Sequence, residues 1–78
     1  MKKYFVEKIG NRIESGFYDD VQDAVNELTR IVDKLISQGW YQIHHEGEGR
    51  HTFVVLASKQ GDAMSVAAYQ IKEVEVIV

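Results

Sequence analysis

The stretch LISQGWYQIHHEGEGRHTFVVLAS, Leu35 to Ser58, constrains the fold more than any other part of this chain. It reads in order as the end of a helix, a strand, a tight turn and a second strand. Gly39 supplies the left-handed residue that commonly closes a helix. The two glycines of Gly47-Glu48-Gly49 allow the positive φ values of a tight or bulged hairpin turn. Trp40 to Glu46 and His51 to Ser58 are therefore expected to pair antiparallel. With a three-residue loop, His45 faces His51, Ile43 faces Phe53 and Tyr41 faces Val55, which leaves Trp40, Val54 and Leu56 on the other face. Both faces are then partly apolar. One is expected to take a helix and the other to be covered by another subunit or a partner, because a sheet with one wet side alternates more cleanly.

The helix lies just upstream. Val21, Ala24, Val25, Leu28, Ile31, Val32, Leu35 and Ile36 recur at spacings of three and four, which places one apolar stripe toward a core. Gln22, Asp23, Asn26, Glu27, Arg30, Asp33, Lys34 and Gln38 form the wet face. Asp19 with Gln22 three residues later has the spacing of a capping box, so the helix is expected from residue 20 to 38, about 28 Å long. Tyr4 to Ile9, aromatic and β-branched, reads as a first strand ended by Gly10-Asn11. Arg12 to Phe17 reads as a loop, with continuation of the strand past a bulge as the alternative. After a turn at Gln60-Gly61-Asp62, the segment Met64 to Val78 is ambiguous. Ala67, Ile71, Val74 and Val78 fit a helical stripe, whereas the β-branched residues at the end favour a strand for the second half. The pattern does not decide whether residues 60–72 are helical. The expected architecture is α+β, in the order β-α-β-β-β, with an antiparallel sheet and one long helix packed on one face. A terminal strand ending EVEVIV would present an unpaired, adhesive edge.

Composition limits function more than it assigns it. The 78 residues are expected to form one domain, 1–78, with little core to spare. There are no cysteines, hence no disulfides or thiolate metal sites, and small domains without such staples often oligomerise, so a homodimer is expected. Nine Lys and Arg against twelve Asp and Glu give a net charge of −3, too weak a bias to select a polyanionic partner. No basic segment leads into an apolar run and no stretch reaches the length of a membrane span, so a cytoplasmic protein without a membrane partner is expected.

The opening KKYFVEKI, the helix end LISQGW, the strand YQIHH and the second strand HTFVVLASK together resemble the small bacterial and phage domains of the DUF4177 group, over roughly residues 2–59. The resemblance implies a β-α-β-β fold and a small accessory protein. That family's function is itself open, so it implies no catalytic residues, and this chain continues for nearly twenty residues past the matching part.

Site chemistry is sparse. His45 with His51, or His44 with His51 for a two-residue loop, could bind zinc, with Glu46 or Glu48 as an oxygen ligand. The competing reading is a pair of half-exposed histidines at a hairpin tip, whose protonation would loosen the turn. Trp40 and Tyr41, at the handover from helix to sheet, are candidate partner contacts together with Val74, Val76 and Val78 of the terminal strand. Trp40 could equally plug the end of the core. Lys2, Lys3, Lys8 and Arg12, beside Tyr4 and Phe5, could form a nucleic-acid surface, although alternation divides them between faces. Ser15, Ser37, Ser58 and Ser65 lie in no nucleophile motif, no phosphate loop is present, and a fold this small is expected to lack a sizeable pocket, so neither an enzyme nor a cofactor is expected. The reading that remains is a small protein-protein interaction module, of the kind phage and mobile elements use as accessory or inhibitor proteins. Nucleic-acid binding through the N-terminal strand is the alternative, and a metal- or pH-responsive histidine hairpin the minor one.

Overall fold

A computed structural model describes residues 1–77. The elements are β1 (Lys2–Lys8), β2 (Arg12–Ile13), α1 (Val21–Ser37), β3 (Tyr41–Glu46), a 3-10 turn (Gly49–His51), β4 (Phe53–Gln60) and β5 (Ala63–Glu75). The strands form one antiparallel sheet in the order β2-β1-β5-β4-β3, with α1 across one face. The α+β class and the single long helix agree with the sequence.

Helix α1 starts where a side chain replaces the missing backbone acceptor. Asp20, not Asp19, is the N-cap, and its Oδ1 accepts from the Gln22 N–H at 2.9 Å. Asp19 is instead drawn away to the Lys3 ammonium. At the other end Gly39 has φ +97°, and the chain closes by Gly39 N–H to Ile36 C=O and Trp40 N–H to Leu35 C=O, the paired bonds of a Schellman motif. The motif fixes the direction in which the chain enters β3, and it holds Trp40 against the core beside Leu35.

The core lies between α1 and the sheet. Ala24 and Leu28 of the helix meet Val6 of β1, Val54 and Leu56 of β4, and Ala67, Tyr69 and Ile71 of β5. Register explains this membership. Val6 pairs with Ile71, Val54 with Tyr69 and Leu56 with Ala67, so alternation sends these side chains to the helix side together. Each large aliphatic side chain withdrawn from water contributes about 1.5–3 kcal/mol.

Four expectations change. His51 is not opposite His45: the hairpin closes with Glu46 against Phe53, His45 faces Val54, and His51 lies in the 3-10 turn. Gly47 dictates this, since its φ is +71° and a Cβ there would stand 2.2 Å from the His51 carbonyl oxygen. That closure alone would set Tyr41 opposite Ser58; a bulge between Gln42 and His44 shifts the register back by one, so that Tyr41 faces Ala57 rather than the expected Val55, and Ile43 is the extra residue of the bulge.

The second change concerns residues 63–75, which are strand throughout rather than in the second half alone. The third is that one side of this terminal segment is taken by β1. Val74 pairs with Lys3 and the Val76 N–H bonds the Met1 carbonyl. Val78 lies outside the described residues. Beyond Ile71 the other side of β5 has no ladder among the described residues, but it carries Lys72, Glu73 and Glu75, and Arg50 reaches Glu73. The segment read as a loop, 12–17, is part strand: after β2, the Glu14 N–H bonds Val6 C=O, the Ser15 hydroxyl accepts from Val6 N–H, and Tyr18 exchanges both backbone bonds with Tyr4. The outer side of β1 is closed by this interrupted strand.

Candidate functional site

Among the described residues, no helix or second sheet covers the face of the sheet away from α1, and register sorts what it displays. Ile9, one residue beyond β1, bonds Ala68 C=O through its N–H, and Ala68 pairs with Val55 and Val55 with His44. Val66, Ala57 and Tyr41 form the next row, Met64 with Lys59 the one after, and Ile13, Glu7, Gln70 and Phe53 the one before. Alternation from the buried set puts all of these on the open face. Ile9, Ile13, Tyr41, Met64 and Val66 are between 45% and 60% exposed. Single exposed apolar residues are ordinary; a run of them across neighbouring strands of one face is not.

The polar groups on this face are mostly engaged with one another. Gln70 Nε2 donates to Glu7 at 2.8 Å, and His44 Nε2 lies 3.0 Å from Glu46. The His44 ring also meets Phe53 edge-on at 6.1 Å. Phe5 is covered by Phe17, their ring centres 5.0 Å apart, because the 14–18 segment folds over that end. The apolar strip therefore begins where Phe17 ends its cover and runs toward the tip of the β4–β5 hairpin.

A second concavity lies on the helix side. Contrary to the sequence expectation, a cleft of about 390 Å³ opens between α1 and β3, lined by Val25, Val32 and Ile36 of the helix and Gln42, His45 and Val54 of the strands. It exists because α1 packs mainly over β1 and β5, leaving the β3 side of the sheet without cover. Its polar lining is occupied locally: Thr29 donates to Val25 C=O, Thr52 to Gly49 C=O, and His45 Nε2 sits 3.2 Å from Gly47 C=O.

The other candidates are dispersed. His44, His45 and His51 take three different local partners, and among the described residues no group of three or more His, Cys, Asp or Glu could hold a metal. Of the basic set, Lys2 is 3.0 Å from Glu73, Arg12 is 3.2 Å from Glu14, and Lys3 is paired with Asp19. A hydrogen bond from Lys2, with Arg50 beside it, holds the Glu73 carboxyl below its ordinary range, and the same bond raises Lys2. Alternation places Lys2 and Lys8 on the helix side and Lys3 on the open side. Of the partner candidates, Trp40 is half-buried in the core, Tyr41 stands on the open face, and Val74 is 36% exposed. Sequence reading missed Ile9, Ile13, Met64 and Val66. Each looks like an ordinary strand residue until register shows that they share one face with Tyr41.

No helix among the described residues is long and apolar enough to cross a membrane. No family model, curated protein or solved structure matches the chain.

Proposed function

We propose that this chain is a protein-protein interaction module acting through the open face of its sheet. The observation that carries the reading is the run of exposed apolar side chains, Ile9, Ile13, Tyr41, Met64 and Val66, on a face with no second layer among the described residues. An antiparallel sheet can leave one face in water, but that face is then usually polar. Here it has the aromatic and aliphatic character found at the buried centre of interfaces. An accessory role, as the DUF4177 resemblance implies, is part of the same proposal, as are an inhibitory role and a cytoplasmic setting.

The test is capture from nuclease-treated lysate with the wild-type chain and with Tyr41→Asp. A protein retained in stoichiometric amount by the wild type and lost on the substitution supports the reading. Equal retention by both would overturn it. Capture that disappears with nuclease would transfer the function to nucleic acid, against which the ion pairing of Lys2, Lys3 and Arg12 presently weighs.

A further inference from the structure

Strand β5 is longer than either neighbour. Residues 63–70 pair with β4 and 69–75 with β1, so Ala63–Ala67 has a ladder on one side only among the described residues. The hairpin tip therefore projects as a two-stranded arm, and the molecule measures 50 × 20 × 19 Å. Its radius of gyration is 13.3 Å. A compact chain of this length would have about 11.5 Å. Its accessible surface is 5266 Å², against roughly 4,800 Å² for a monomer of this mass.

The other free edges are blunted. β3 carries a bulge, β2 is two residues long, the β4 side of the arm bears Lys59, and the free side of 72–75 bears Lys72, Glu73 and Glu75. The segment AMSVA has none of these devices: no charge, no proline, no bulge.

We infer that Ala63–Ala67 pairs antiparallel with the same segment of a second copy, about a two-fold axis near Met64 and Ser65. Resting on the interaction-module reading above, this inference names the first partner as the chain itself. Two properties select a second copy over an unrelated strand. A two-fold pairing keeps Met64 and Val66 of both copies on one face, so the two open-face strips become continuous. It also brings each tip, carrying Asp62, toward the turn bounded by Lys8 and Arg12 of the other copy. Lys8 has no ion-pair partner among the described residues. The backbone is positioned for it. Ala68 C=O points to β1 and the Ile71 N–H points to Thr52 on the β4 side. With a period of two, the Met64 and Val66 N–H and C=O groups point to the open edge.

Sedimentation velocity across a hundredfold concentration series tests the inference on the full chain. The wild type is expected to pass from 8.9 kDa to twice that mass. Val66→Pro removes an N–H from the open edge while leaving the ladder to β4, and is expected to stay monomeric with an unchanged circular dichroism spectrum. Met64→Lys, at a side chain already 60% exposed, reads the same edge should the proline disturb folding. Single cysteines at Met64 and Ser65, in a chain that otherwise has none, are each oxidised; one of the two is expected to give a disulfide-linked dimer. A wild type that stays monomeric, or a dimer that survives both edge substitutions, would overturn the pairing. Such a monomer that still captures its target through Tyr41 separates failure of this inference from failure of the interaction reading.

Discussion

The two halves of β5 contrast within one continuous strand. Tyr69 and Ile71 are buried under α1, with β1 and β4 on either side at residues 69 and 70. Ala63–Val66 are all exposed, bound to β4 alone among the described residues. Where β5 again runs free, beyond Ile71, the sequence changes to KEVE and the edge is charged. Where it runs free at the arm, the sequence is AMSVA. Same backbone, same unpaired groups, opposite treatment: one edge is protected against pairing and the other is left able to pair.

The largest effect should come from the buried half. Ile71→Ala, at 4% exposure in the core, is expected to cost about 2–5 kcal/mol in chemical denaturation. A loss under 1 kcal/mol would mean that the helix does not pack as described. Gly47→Ala tests the rigid root of the β3–β4 connection. Positive φ and the close His51 carbonyl together make a loss of more than about 1 kcal/mol the expectation. At the arm, Val66→Ala in dilute solution should stay within about 0.5 kcal/mol of wild type. A larger loss there at low concentration, with the monomer confirmed, would erase the distinction between the halves.

Hydrogen exchange resolves the contrast along the strand. The Met64 and Val66 amides should exchange fast in the monomer, and those of Ser65 and Ala67 more slowly through their bonds to β4. Raising the concentration should slow Met64 and Val66 selectively if the edge pairs. The smallest expected effect belongs to Glu73. Its carboxyl is held below the ordinary range by Lys2 and Arg50, so the stability it contributes is present above the unfolded-state pKa and is lost as pH falls through the folded one. Glu73→Gln should flatten that part of the acid limb, with added salt doing much the same because the pair is exposed.

Helix α1 was legible because every signal for it is local. The apolar stripe, an aspartate at the start and Gly39 at the end all act within a few residues, although Asp20 caps the helix while Asp19 pairs with Lys3 of another element. The hairpin was legible in outline, but not its register. A glycine-rich connection can close in several ways, and the 3-10 turn plus the bulge at Ile43 moved His51 out of the ladder and Tyr41 from Val55 to Ala57. The cross-strand pairing of His45 with His51, on which the metal reading rested, depended on that register and went with it.

The candidate site was the least legible part. Alternation tells which residues share a face within one strand, but joining Ile9, Tyr41 and Val66 into one surface needs the pairing of β1, β3, β4 and β5, which is non-local. The C-terminal strand shows the same limit. EVEVIV has the composition of an adhesive edge, yet β1 takes one side of it, and the unprotected edge lies at the other end of the same strand.

The sequence by itself determined the α+β class, the helix and its ends, the turn positions and the two-sided apolar character of the strands. These follow from spacing and from residues whose preferences act on their own backbone. Only the tertiary structure decided the strand order, the register and the edge left open, because those rest on hydrogen-bond partners up to 75 residues apart, whose choice minimises unpaired groups and uncovered apolar surface.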